Sequence, residues 1–346
     1  MNVRIWLIVL LLALPGFGRA QGYAGLGGSA EGFTVPQPGY TFQFPQDHGP
    51  HSDYRIEWWY LTANLKGEDG RDYGIQWTLF RSALKPHEAE GWQSPQIWMG
   101  HAAVTTPKKH YFAERLSRGG IGQAGVTAKP FEAWIDEWHI RGPDLNTVSL
   151  SANGAEFGYD LKLTAKGPLV FHGQNGYSVK SADGQASYYY SQPFYEVEGD
   201  LRLPGGKVAV TGQGWLDREW SSQPLAADQS GWDWFSLSFN DGDKMMAFRL
   251  RGERSDFTAA TWIAADGTTT AIPDGSVAFE PLTTTPVAGR EVPVRWRVTL
   301  PDRDLDVEVS ALTADAWMAT RFEYWEGPVQ ISGSHSGRGY LEMTGY

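Results

Sequence analysis

The sequence predicts an all-β protein of two successive antiparallel barrels, and three observations carry that prediction. Short runs in which apolar and polar residues alternate recur along the 346 residues, the period-two signature of half-buried strands. Between them stand tight-turn sequences such as Asn153-Gly154, Pro204-Gly205-Gly206, Asp241-Gly242 and Asp266-Gly267. No stretch after residue 20 holds a helical period for more than three turns, which argues against the βαβ units of a parallel sheet.

In chain order, residues 1–20 read as a secretory signal peptide. Arg4 supplies a basic start, residues 5–14 an apolar run too short to span a bilayer comfortably, and residues 15–20 a breaker followed by small residues. Retention as an N-terminal anchor is the alternative; a cleaved signal meets the membrane only in transit. Residues 21–46, rich in Gly and Pro, read as a flexible leader. The first barrel is expected over 47–222. Residues 56–65 put Trp59, Leu61, Ala63 and Leu65 on one face with Glu57 at the head, and residues 73–80 alternate Tyr73, Ile75, Trp77 and Leu79 with Gly74, Gln76 and Thr78, so the two form a hairpin. Further strands are expected at 97–105, 133–140, 147–150, 157–165, 196–203 and 207–213, with loops at 82–91 and 224–229. The second barrel, 223–346, carries strands at 233–239, 244–251, 259–264, 268–272, 294–300, 305–309 and 328–332.

Composition bounds the function. The net charge is −11, and loss of a signal peptide would remove Arg4 and Arg19 but no acid, so nucleic acid and anionic lipid are not expected partners. The absence of cysteine excludes disulfides, thiol catalysis, thiolate metal sites and a lipidated N-terminal cysteine. The eight histidines are scattered without metal-ligand spacing, and no calcium-type acidic loop or phosphate-cradling motif occurs, so no metal or cofactor is expected. Gly333-Ser334-His335-Ser336-Gly337 places its serines off the register of a nucleophile elbow. A periplasmic or secreted chain without disulfides must hold together by packing, and 16 Trp, 15 Tyr and 16 Phe suit either a broad β core or an apolar cavity.

The chemistry concentrates in Gly214-Trp215-Leu216-Asp217-Arg218-Glu219-Trp220, read as a strand end with two acids and a base between two indoles. An inward Asp217 or Glu219 would have its pKa raised and become a proton donor, unless Arg218 pairs with it; a structural corner with an exposed ion cluster is the alternative. Glu57, which Arg55 or Arg81 could pair, and His101, on an apolar strand, are further candidates for acid–base work. Trp59, Tyr60, Trp77, Trp215, Trp220, Trp232 and Trp234 are the candidate walls of a pocket. Asp233 shares a strand face with Phe235, Leu237 and Phe239, which makes it the next acid of interest.

Taken together, Glu57-Trp58-Trp59-Tyr60, the strand from Tyr73 to Arg81, His101-Ala102-Ala103-Val104-Thr105, Trp215 to Trp220, Gly231-Trp232-Asp233-Trp234-Phe235 and the ending Gly339-Tyr340-Leu341-Glu342-Met343-Thr344-Gly345-Tyr346 resemble the AttH/carotenoid 1,2-hydratase-like family over roughly residues 36–346. The resemblance implies tandem lipocalin-like barrels with a hydrophobic pocket at or between them. It implies an aspartate that protonates an alkene near the end of the first barrel, a position that Asp217 matches, and for many secreted members an association with ABC exporters. If the chain is catalytic, it implies a hydro-lyase of carotenoid 1,2-hydratase type.

Two functions remain open at this level. One is an exported carrier of a hydrophobic, isoprenoid- or lipid-like molecule, linked to an ABC exporter. The other is an acid-catalysed hydratase, isomerase or cyclase of an isoprenoid- or polyketide-like substrate with Asp217 as proton donor. Asp217 in an apolar cavity without a cation against it would favour the second; an arginine clamp or exposure to solvent would favour the first.

Overall fold

Extended segments that alternate large apolar with polar residues gain most by burying one face, and this chain does so in two large antiparallel sheets. The computed structural model describes residue 26 and residues 28–346 apart from residue 88, so the expected signal peptide lies outside the described residues. The first sheet comprises β1 (Ile56–Gly67), β2 (Asp72–Ala83), β3 (Gln96–Thr105), β4 (His110–Arg118), β5 (Ala124–Ala128), β6 (Phe131–Ile135), β7 (Trp138–Asp144), β8 (Thr147–Asn153), β9 (Gly158–Ala165), β10 (Val170–Phe171), β11 (Tyr177–Val179), β12 (Ala186–Leu203) and β13 (Gly206–Ser221). Its order is β4-β3-β2-β1-β13-β12-β9-β8-β7-β6-β5, with β10 and β11 pairing β12. The second comprises β14 (Gln229–Phe239), β15 (Lys244–Gly252), β16 (Phe257–Ile263), β17 (Thr269–Ile272), β18 (Ala278–Val287), β19 (Arg290–Leu300), β20 (Leu305–Ala311), β21 (Trp317–Met318), β22 (Tyr324–Gly333) and β23 (Gly337–Thr344). Its order is β17-β16-β15-β14-β23-β22-β20-β19-β18, with β21 on β22. No α-helix occurs among the described residues. The fold is all-β, as expected, with two curled sheets consistent with tandem lipocalin-like barrels.

Each sheet curls around its own apolar core. Trp59, Trp77, Trp138, Leu150 and Tyr195 lie inside the first, and Phe235, Trp262, Trp296, Trp325 and Leu341 inside the second. The outer faces of β1, β2, β3 and β13 pack against those of β14, β15, β22 and β23. Tyr60, Tyr189 and Trp215 meet Trp234, Phe248 and Tyr340 in a third buried cluster between the sheets.

Several elements differ from the sequence expectation. Residues 133–140 are not one strand, because Ile135 pairs directly with Trp138 and Asp136 takes a positive φ of 52°, making a two-residue hairpin turn. Strand β12 begins at Ala186, well before the expected 196, and takes in Tyr188-Tyr189-Tyr190. Strands β4 and β18 escaped notice because they are edge strands with few buried positions, which dilutes the alternation. The expected loose leader is anchored from Thr34 onward: Thr34 N–H donates to Asp53 O at 3.0 Å, Gln37 N–H to the Tyr188 hydroxyl at 2.8 Å, Tyr40 stacks on Tyr188 with ring centroids 4.3 Å apart, and Phe42 meets Trp220 edge-on at 5.6 Å. Gly214 to Trp220 is not a strand-end corner. It is the continuation of β13, paired with β1 on one side and β12 on the other.

Candidate active site

Because successive side chains of a strand point to opposite faces, β13 divides its acids from its arginine. Trp215, Asp217 and Glu219 turn toward the second sheet, while Leu216, Arg218 and Trp220 turn into the first. Register completes the layout: Asp217 lies opposite Tyr60 of β1 and Ser191 of β12, and Glu219 opposite Trp58 and Tyr189.

Between the sheets lies a cavity of about 230 Å³. The first sheet contributes Trp58, Tyr60, Phe80, Met99 and Tyr189 to its wall, and the second contributes Trp232, Trp234, Phe248, Leu250 and Tyr324. Set into this aromatic wall are Asp217, Glu219, Glu342 and Lys180.

The four polar groups are held very differently. Asp217 is 2% exposed, and both its oxygens are engaged. Trp215 Nε1 donates to Oδ1 at 2.6 Å, Ser191 donates to the same oxygen, and the Tyr189 hydroxyl donates to Oδ2 at 2.8 Å. Burial pushes its pKa up to about 7 against the pull of these donors, and the charge of Glu219 adds to the rise. Glu219 is neutralised by Lys180, whose Nζ lies 2.9 Å away and over the rings of Tyr189 and Phe248 at 4.8 and 4.3 Å. Glu342, on β23, accepts the indole N–H of Trp232 at 2.5 Å and is partly accessible from the cavity. Burial raises its pKa to about 7 as well, with Asp217 and Glu219 as like-charged contributors. Behind the wall, Glu326 is fully buried, accepts the Tyr60 hydroxyl at 2.5 Å, and is pushed well above the carboxylate range by burial and by Glu342.

The sequence candidates divide by strand face. Asp217, Glu219, Tyr60, Trp232 and Trp234 line the cavity. Trp215 and His101 touch groups that do: Trp215 through its bond to Asp217, and His101 through Nδ1, 2.9 Å from the Tyr324 hydroxyl. Glu57, Trp59, Trp77 and Trp220 are corrections to the expected site, because each has the opposite strand parity and faces into the first sheet. Trp59 and Trp77 are core there, and Trp220 stacks on His51 at 4.0 Å. Glu57 is clamped by Arg81 and Arg218, with His51 Nδ1 at 3.3 Å. Burial works to raise its pKa, yet the two guanidiniums hold it well below the usual carboxylate range, so it is a fixed charge. Asp233 is its counterpart in the second sheet, bound by Arg249 at 2.8 Å, Arg251 at 2.6 Å and the Tyr346 hydroxyl at 2.8 Å.

Glu342, Tyr324 and Lys180 are cavity residues that sequence reasoning missed; Tyr189, which with Tyr188 and Tyr190 reads from the sequence as packing or pocket wall, is the one of the three tyrosines that lines the cavity. A signal existed for Glu342 and for Tyr189. Tyr340-Leu341-Glu342-Met343 alternates as a strand with an acid on its polar parity, and Tyr189 stands at the parity opposite to Tyr188 and Tyr190. For Lys180, in the segment between β11 and β12, there was none. Among the described residues, no group of three or more histidines and acids could hold a metal ion.

Residues 35–346 match the AttH-like family. The chain belongs to that family. An AttH protein of Nitrosomonas europaea, solved as a crystal structure, superposes on this AttH-like chain with a TM-score of 0.81 at 34% identity, covering 91% of this chain and 100% of that one. Kievitone hydratase from Nectria haematococca superposes with a TM-score of 0.68 at 17% identity, covering 91% of this chain and 96% of that one, a likeness of fold. No curated protein sequence matches this chain significantly.

Proposed function

We propose that the inter-sheet cavity is the active site of an acid–base hydro-lyase that adds water to, or removes it from, an apolar alkene-bearing molecule. The observation that carries this reading is the pairing of two desolvated carboxyls, Asp217 and Glu342, both pushed to about 7, in an aromatic cavity where no cation among the described residues touches Asp217. Arg218, the residue that would have cancelled the acid, is spent on Glu57 across the sheet. Two like charges in one desolvated site hold a proton between them near neutrality, which suits one carboxyl to donate while the other accepts.

In the hydration direction, Asp217 gives its proton to an alkene carbon, forming a C–H bond and leaving a carbocation that the faces of Trp58, Trp232 and Trp234 stabilise. Water adds to the cation, forming the C–O bond, and its released proton passes to the Glu342 carboxylate. Transfer of that proton from Glu342 to Asp217 through cavity water restores the starting state. The fold shared with kievitone hydratase is compatible with this chemistry and supports it only as analogy. The lining, largely aromatic and aliphatic with its acids, one lysine and a few hydroxyls set into it, suits an isoprenoid- or polyketide-like molecule and repels phosphate.

A carrier of the same ligand would use the same cavity but has no need of two protonatable acids. We extend the proposal to an exported, periplasmic or secreted setting, which the character of residues 1–20 supports, and to an ABC exporter as partner, which the family resemblance supports. The test is to identify by mass spectrometry what co-purifies with the protein, then to follow the gain or loss of one water on incubation. Asp217→Asn and Glu342→Gln are each expected to lower turnover by about 10²–10⁴-fold with binding retained. Turnover indifferent to both substitutions would remove the acid pair from the reaction, and binding without turnover by the unaltered protein would return the cavity to a carrier.

A further inference from the structure

The mechanism leaves His172 unused, although it is fully buried beside the acid. It follows β10, and its ring reaches across the interface between the sheets: Nε2 lies 2.6 Å from Ser191 Oγ, and Nδ1 lies 3.0 Å from Thr261 Oγ1 of β16. The hydroxyl of Ser191 in turn donates to Asp217 Oδ1.

Proton counting orients this chain. Ser191 has one hydroxyl proton, and Asp217 as the carboxylate takes it, so in that state Ser191 can only accept from His172. Nε2 therefore carries the ring proton. Nδ1 is then bare and accepts from Thr261, which fixes the tautomer. A second chain runs in parallel, because Trp234 Nε1 of β14 lies 3.0 Å from the Tyr189 hydroxyl, which donates to Asp217 Oδ2. Each carboxylate oxygen is thus served by a relay that begins in the second sheet.

We propose that His172 is the positioning residue of Asp217: as the neutral Nε2–H tautomer held by Thr261, it commits the Ser191 proton to the carboxyl and makes the acid's strength depend on the docking of the two sheets. The inference rests on the reading of Asp217 as the cavity acid. In the other tautomer Ser191 would donate to His172, and Asp217 would lose one of its three donors. The ring stays neutral because burial and the charge of Lys180 both hold its pKa well below the usual histidine range. The charged and titratable groups around the relay are Lys180 and Tyr189 beside the ring, and Glu219, Tyr189 and Glu342 around Asp217.

The experiment follows the protonated-carboxyl infrared band of Asp217, identified as the band lost in Asp217→Asn, through a pH titration of the full chain without ligand. The unaltered protein is expected to lose this band with a midpoint near 7. His172→Phe leaves Ser191 no acceptor but Asp217, so the carboxyl keeps its three donors and the midpoint should move by well under about 1 unit. Thr261→Val, which frees the tautomer and lets Ser191 donate to Nε2, should raise the midpoint by up to about 1 unit, the tenfold weakening that loss of one charge-assisted donor brings. Circular dichroism checks that each variant folds. Thr261→Val decides, since it removes a single hydroxyl, and His172→Phe is its control. A midpoint insensitive to Thr261→Val, or raised as much by His172→Phe as by Thr261→Val, overturns the relay and leaves the acid standing, whereas absence of the band from the unaltered protein overturns both.

Discussion

At Asp217 three hydrogen-bond donors and burial pull in opposite directions, and burial wins. The same holds at Glu342, where a single indole donor opposes it. This has a consequence for stability that needs no substrate. Both groups have folded-state pKa values near 7, above ordinary values of 3.8 and 4.5, so the fold binds their protons more tightly than the unfolded chain does. Their favourable contribution is therefore complete below about pH 4 and is lost as pH rises toward 7, with little further change above. The double variant Asp217→Asn/Glu342→Gln should be less sensitive to pH over that window. The difference is on the order of 2–4 kcal/mol, and comparison of thermal midpoints at pH 5 and pH 8 measures it. Parallel pH profiles for variant and parent would mean that the two carboxyls are not desolvated.

Along a single strand, β13 uses parity to keep opposite chemistries apart. Its outward residues place a neutralisable acid in the cavity, while its inward Arg218 joins Arg81 on Glu57, and the guanidinium of Arg218 lies 3.9 Å from the centre of the Trp59 ring. A buried carboxylate between two arginines can be removed only at the cost of leaving those charges unpaired. Glu57→Gln is therefore expected to lower unfolding free energy by roughly 3–5 kcal/mol in urea titrations. Because the folded pKa of Glu57 is depressed, this contribution is present above the ordinary carboxylate range and fades as pH falls through and below it, the reverse of Asp217. A small loss, with no acid dependence, would mean that water reaches the cluster. The strands most legible in the sequence were those with a continuous buried parity, such as β1 and β2, whereas edge strands β4 and β18 bury few positions and escaped notice. Parity was also the information that separated Asp217 from Glu57. The residues on each side of the division were visible, but not which side faced a cavity.

For the molecule as a whole, the site exists because two curled sheets meet on their outer faces. Their approach is close at Gly74 of β2, where an added Cβ would stand 2.5 Å from Pro328 Cγ of β22. Gly74→Val should wedge the sheets apart, costing roughly 1–3 kcal/mol, and should make the interface tryptophans, Trp215 and Trp234 among them, more accessible to acrylamide quenching. Unchanged stability and quenching would show that the interface tolerates the added bulk, and that cavity shape does not depend on this contact.

By itself the sequence determined the all-β class, the alternating strands and the family, and it singled out Asp217 as a candidate, because these depend on neighbours one or two positions apart or on an ordered set of local motifs. Only the tertiary structure decided that Arg218 turns away from that acid, that Glu342 stands with it in one cavity, and that two residues from loops, His172 and Lys180, meet its neighbours Ser191 and Glu219. Desolvation and charge pairing depend on which side chains surround a carboxyl in space, and here those side chains come from strands of two different sheets.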